Sequence, residues 1–135
     1  MNEAVVDASV LVKWFKEENE TQLEAARALN TRYERGELLI RVPPLLFIEI
    51  LNIAARGMRW AAMDLEMLAR QLDRHRFYVE QPPLVHVARW ASRGLTAYDA
   101  CYVALAEARR VPLITADERI VAVAPEVAQP LAGVS

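Results

Sequence analysis

EAVVDASVLVKWF, residues 3–15, changes character at its fifth residue. Glu3 to Val6 is a short, β-branched apolar run of the kind that forms a buried strand, and it stops at Asp7. Ala8 to Phe15 then reads as a helix. PLIT, residues 112–115, repeats the arrangement near the other end of the chain: a short apolar strand, then Asp117 opening a helical turn through about Val123. Between them lie further short runs, LLIRV at 38–42 and Phe77–Glu80, and Val127–Leu131 offers a last strand. Helical stretches separate them: about Thr21 to Arg35, closed by Gly36; from Pro43-Pro44 to Arg56, stopped by Gly57; Trp60 to Arg74; Pro83 to Ser92, ended by Gly94; and Thr96 to Arg109. Short strands alternating with helices predict an α/β domain around a mostly parallel sheet. Ligands of such sheets sit outside the carboxyl ends of the strands. Asp7 and Asp117 each follow a strand, so both belong on that edge.

The chain has 135 residues, which suits one compact domain spanning 1–135. A hydrophobic fraction of 54% with 25% charged residues supplies a core and argues against disorder. No apolar run approaches the roughly 20 residues that cross a bilayer, and the acidic start MNEAVVDASV lacks the basic flank of a signal peptide. A soluble cytoplasmic protein with no membrane partner is therefore expected. The single Cys101 has no disulfide partner within the chain and lies in an Ala-rich helical stretch, as a buried thiol does. Net charge is −2, so no global basic field points to nucleic acid. Charge is unevenly spread, however. Residues 1–51 carry six Lys/Arg against nine Asp/Glu, while residues 52–93 carry seven arginines against four acids. Arginine forks suit phosphate, although solvated helix faces account for the same pattern.

Four acidic residues, Asp7, Glu49, Asp99 and Asp117, stand within or at the ends of apolar segments. Singly, three have ordinary explanations. Asp7 and Asp117 suit helix N-caps, and Asp99 lies three residues after Thr96 as in a capping box. Glu49 is harder to dismiss. In LLFIEILNIAA, residues 45–55, only Glu49 and Asn52 are polar, and with Arg56 they make one narrow stripe that faces either solvent or a polar cleft. Burying four unpaired carboxylates separately is costly. Bringing them together is costly too, since two unit charges about 5 Å apart repel by roughly 3 kcal/mol at an effective dielectric near 20. Summed over all pairs, that rivals the roughly 5–15 kcal/mol that holds a domain together. A divalent cation relieves it, and an all-oxygen donor set suits Mg²⁺ or Mn²⁺ over Zn²⁺. His75 and His86 match no metal-ligand spacing and read as ordinary residues.

VVDASVLVKWF, the Glu of FIEILN, LTAYDACYVALA and PLITADERI, in that order, resemble the PIN-domain nucleases, and within them the VapC-type toxin ribonucleases of bacterial and archaeal toxin–antitoxin pairs. The likeness runs from about Glu3 to Leu131. It implies a three-layer α/β/α fold with a five-stranded, mostly parallel sheet and an acidic pocket at its carboxyl edge. It puts Asp7, Glu49, Asp99 and Asp117 at the four acidic positions, with Asp7 and Asp99 as metal ligands and Glu49 and Asp117 binding a second ion or holding water. Ser9 and Thr115 match the hydroxyls that flank the pocket. The implied activity is Mg²⁺- or Mn²⁺-dependent hydrolysis of RNA, and the implied partners are an antitoxin protein and a second copy of the chain. Trp60, Met63, Leu65, Met67, Leu68 and Leu72 give the middle helix an apolar set that serves the core or such a partner.

Two other classes fit an acidic pocket in an α/β sheet. A receiver-type phosphoacceptor needs a late lysine, and the lysines here are Lys13 and Lys16. A non-catalytic module would use the pocket to dock a partner's basic side chain. Cleavage of RNA, or its absence, separates these from the nuclease.

Overall fold

The computed structural model describes residues 2–15 and 22–134. Five strands form one wholly parallel sheet: β1 (Glu3–Val6), β2 (Leu39–Val42), β3 (Tyr78–Val79), β4 (Leu113–Thr115) and β5 (Ala128–Pro130). Their order is β3-β2-β1-β4-β5. From β1 the chain steps outward through β2 to the β3 edge, then returns to lay β4 on the other side of β1. The strand order therefore reverses between β1 and β4, which is where parallel α/β sheets open a crevice at their carboxyl edge. Register fixes the height of that crevice. Val6 pairs with Ile114, so Asp7 and Thr115 are the next residues out on neighbouring strands.

The central strands are β-branched and sealed from water: Ala4, Val5, Val6, Leu113, Ile114 and Thr115 are all fully buried. At the β3 edge Tyr78 and Val79 are exposed, and the predicted strand over 77–80 shortens to two residues. Helices cover the faces: α1 (Ala8–Leu11), running on as a 3₁₀ turn to Phe15; α2 (Leu23–Glu34); α3 (Leu46–Asn52); α4 (Ala62–Arg74); α5 (Leu84–Ala91); α6 (Ala97–Arg109); and α7 (Glu118–Val123). The expected start of the second helix at Thr21 lies outside the described residues. Helix α6 is the central one. Its residues Ala100 to Ala106 are buried without interruption, which small side chains allow by letting neighbouring backbones approach closely. Cys101 is among them, as a free buried thiol.

Two departures from the sequence reading have local causes. Pro43-Pro44 was expected to begin the third helix, but regular helix starts only at Leu46, whose N–H donates to Pro43 O at 3.1 Å. The two prolines make the turn and lack the donors to do more. The helix also stops being α-helical at Asn52 and widens into a π turn over Ile53–Gly57, closed by Met58 N–H on Ile53 O at 3.0 Å. In α4, Leu68 and Leu72 are buried and Leu65 is half-buried, but Met63 and Met67 are exposed, at 76% and 52%. Five apolar residues span a wider arc than one core contact covers, and the i, i+4 pair of methionines falls outside it.

Gly36 ends α2 as expected. Its N–H reaches Tyr33 O at 3.0 Å and Glu37 N–H reaches Arg32 O at 2.9 Å, with Gly36 at φ +75°. This double bond is a Schellman closure, which needs a left-handed residue. Space around the Gly36 Cα is open, so Gly36→Ala meets only backbone strain. It is expected to cost about 1–2 kcal/mol, read as a lower urea midpoint at unchanged slope.

Candidate acidic site

Asp7 sits at the N-cap position of α1, but its carboxylate makes no capping bond. Instead, Ser9 Oγ donates to Oδ1 at 2.6 Å and Thr115 Oγ1 donates to Oδ2 at 2.5 Å. Two backbone donors hold those hydroxyls in place: Ala116 N–H on Ser9 Oγ and Asp117 N–H on Thr115 Oγ1, both at 3.0 Å. The result is a small network tying the end of β1 to the end of β4. Within it Asp7 is only 3% exposed. Burial raises its pKa from 3.8 to about 6, against the opposing pull of the two hydroxyls. The Val10 N–H at the start of α1 pulls in the same direction as the hydroxyls but less than either, so capping is the lesser part of what holds Asp7. Capping succeeds for Asp117, whereas at α6 the cap is Thr96 and not the Asp99 carboxylate. Thr96 accepts Asp99 N–H at 3.0 Å to cap α6, and Asp117 Oδ1 accepts Arg119 N–H at 2.9 Å to cap α7.

Glu49 is half-buried, while Asn52 and Arg56 of the same polar stripe are exposed. Tyr102 OH, itself buried, donates to Glu49 Oε1 at 2.5 Å. The stripe thus points partly inward, to a partner on the central helix. Burial raises the Glu49 pKa, Tyr102 lowers it and Asp99 raises it. Asp99 is also raised, first by burial and further by Asp117, while Arg119 pulls it down. Asp99 in turn pushes Asp7 upward. All four carboxylates lie within electrostatic reach along one edge of the sheet, with Asp99 acting on Asp7 and Glu49 and acted on by Asp117. They do not converge tightly, though. Among the described residues no three of Asp, Glu, His and Cys form a group able to hold an ion. The coupling among them runs through Asp99.

Two contributors went unnoticed in the sequence. Tyr102 lies one turn beyond Asp99 on α6, and that i, i+3 spacing was the available signal. Arg119 lies two residues beyond Asp117. Its Nη2 reaches Asp117 Oδ2 at 2.9 Å, its Nε reaches Oδ1 at 3.3 Å, and Nη2 stands 4.0 Å from Asp99 Oδ2. Asp117 is consequently the one carboxylate of the four whose pKa is lowered, chiefly by the Arg119 side chain. The seven arginines of residues 52–93 are all exposed. His75 stacks against both Tyr33 and Phe77, which also touch each other, and His86 bonds Glu107 at 3.0 Å.

The donor chemistry, tested against this geometry, fits a hard divalent ion in one particular way. The donors are oxygens only, and burial and mutual repulsion hold three of the four carboxylates at raised pKa, so they would gain from a positive charge. Because they are spread out, they suit an ion that keeps much of its water and takes one or two carboxylates, as Mg²⁺ does.

The profile of the PIN domain family matches residues 4–125. The chain belongs to that family. A relative at 31% identity over 127 residues, covering 90% of this chain and 91% of its own length, is Ribonuclease VapC1 of Mycobacterium tuberculosis. Among solved structures, PAE2754 from Pyrobaculum aerophilum superposes with a TM-score of 0.69 at 28% identity, covering 97% of this chain and 90% of its own. FitAcB from Neisseria gonorrhoeae gives a TM-score of 0.71 at 14% identity, covering 97% and 99%. That last likeness is one of fold. The PIN fold predicted from the motifs, with its central parallel sheet of five strands flanked by helices, is the fold observed. No helix among the described residues is long and apolar enough to cross a membrane.

Proposed function

We propose that this PIN-domain protein is a divalent-metal-dependent endoribonuclease, the toxin of a type II toxin–antitoxin pair, using Mg²⁺ or Mn²⁺. The observation that carries the reading is Asp7: a nearly sealed carboxylate at the switch point of the sheet, with each oxygen taking a hydroxyl bond from outside the helix cap. Kinship with Ribonuclease VapC1 over nine-tenths of the chain supports RNA as the substrate.

In this reading Asp7 and Asp99 hold the ion, and Glu49 and Asp117 hold water or a second ion. When bound, the ion lowers the pKa of water and offsets charge on the leaving oxygen. The chain's own residues do the rest. Ser9 and Thr115 fix the Asp7 carboxylate in one rotamer, and Tyr102 fixes Glu49, so the cluster is set before substrate arrives. Glu49, with one oxygen left free by Tyr102 and a raised pKa, is suited to take a proton from the attacking water at Oε2. The exposed arginines of residues 52–93 attract the phosphate backbone without reading sequence. For assembly, the exposed Met63 and Met67 on α4 and Leu84 and Val85 on α5 supply apolar surface suited to a homodimer contact and to an antitoxin chain.

The test is direct. Purified protein with Mn²⁺ is expected to cut single-stranded RNA, to stop on addition of EDTA, and to lose cleavage on Asp99→Asn. Equal cleavage by wild type, Asp99→Asn and EDTA-treated protein would sink the assignment and point to a contaminating ribonuclease.

A further inference from the structure

We infer that Arg119 is a substrate-positioning residue of this site: a guanidinium pinned by Asp117 at the rim of the acidic cluster to receive an RNA phosphate. The inference rests on the ribonuclease reading and narrows the role of Asp117 from ion ligand to anchor. Three observations support it. First, Asp117 grips Arg119 three times, through the backbone N–H at 2.9 Å, Nη2 at 2.9 Å and Nε at 3.3 Å. A two-pronged carboxylate–guanidinium pair fixes the plane of the fork as well as its place. Second, those bonds use Nε and Nη2, so Nη1 is not spent on Asp117. The Arg119 side chain remains 78% exposed, which leaves that edge open to solvent. An arginine serving only to neutralise buried acids has no need of such exposure. Third, Asp99 Oδ2 lies 4.0 Å from Nη2, so a phosphate meeting Nη1 would be brought beside the cluster. A polyanion approaching four carboxylates is repelled, and a fixed cation at the rim is what allows it to dwell there.

The experiment compares binding of a short fluorescent single-stranded RNA, in EDTA and in Ca²⁺, by wild type, Arg119→Ala, Arg119→Lys, Asp117→Asn and the Asp117→Asn/Arg119→Ala double variant. Arg119→Ala is expected to weaken binding about tenfold, the scale of one charge-assisted contact, and to lower the slope of log Kd against log salt by about 0.7, one single-strand phosphate. Arg119→Lys should restore the slope but not the full affinity, because it keeps the charge and loses the fork. Asp117→Asn should weaken binding in the same direction, and the double variant should be no worse than Arg119→Ala alone. Folding is not at risk, since the side chain is exposed and the N–H that Asp117 caps belongs to the backbone. The Mn²⁺-induced rise in melting temperature should be unchanged in Arg119→Ala. Wild-type affinity and slope in Arg119→Ala would overturn the inference and leave Arg119 a mere counter-charge, while RNA cleavage by wild type kept the ribonuclease reading intact. Absence of both RNA binding and cleavage in the wild type would remove both.

Discussion

Asp7→Asn is expected to lower RNA cleavage by about 10²–10⁴-fold, the range typical of losing a charged group from a catalytic proton-transfer or ion-holding position, and at the same time to make the protein more stable. The two effects share one origin. Asp7 is 3% exposed, and burial lifts its pKa from 3.8 to about 6. Between those values the folded chain holds a proton that the unfolded chain has released. Stability therefore falls as pH rises through that window, and the penalty is complete above about pH 6. At about 1.4 kcal/mol for each pH unit separating the two pKa values, it amounts to about 3 kcal/mol. Asparagine carries no charge to bury. It must rearrange one of the hydroxyl bonds from Ser9 or Thr115, which returns about 1 kcal/mol, so a net gain of about 2 kcal/mol is expected near neutral pH. Urea titrations in EDTA at pH 4.5 and pH 7.5 check it. Wild type should be more stable at the lower pH in the Asp7 contribution, and Asp7→Asn should lose that part of the slope. An Asp7→Asn variant less stable than wild type at pH 7.5 would mean that the hydroxyl network, not the charge, dominates the energetics of the position.

That combination also explains what the sequence made legible. Asp7 was visible because a strand of small and β-branched residues ends on it, and Asp117 because PLIT repeats the pattern. Periodicity and turn chemistry are local, so the strands, the parallel sheet and the edge on which the acids lie followed from residues close in sequence. Glu49 was visible as a polar interruption of an apolar helix. Its partner was not, because Tyr102 lies 53 residues away and only the packing of α3 against the central helix joins them. Arg119 was hidden for another reason. It sits in the exposed first turn of α7, where a charged residue is unremarkable, and only side-chain rotamers bring its fork to Asp117. The methionines of α4 show the converse limit. An apolar residue at helical spacing marks a face, but how much of that face the core covers is decided by neighbours the local pattern does not contain. Electrostatics says that four acids on one edge require relief, but not that an ion alone must supply it. Here hydroxyls, a phenol and an arginine supply part.

Divalent cation is expected to stabilise the fold in a way that reports on Asp7 itself. Mn²⁺ at about 100 times its dissociation constant should add roughly 2.7 kcal/mol, a melting rise of about 8 °C in a domain of this size. The ion binds the carboxylate, not the acid, so wherever Asp7 is protonated in the free protein binding must expel that proton. With the pKa at about 6, nothing is lost at pH 7.5. At pH 5 the affinity should fall about tenfold, which removes about 1.4 kcal/mol and so roughly half of the melting rise at the same Mn²⁺ concentration. Asp7→Asn should abolish most of the rise at pH 7.5 and most of its pH dependence, the remainder coming from Asp99 and Glu49, which are raised as well. A melting rise equal at pH 5 and pH 7.5, and equal in Asp7→Asn, would place the ion elsewhere on the molecule and separate the buried carboxylate from metal chemistry.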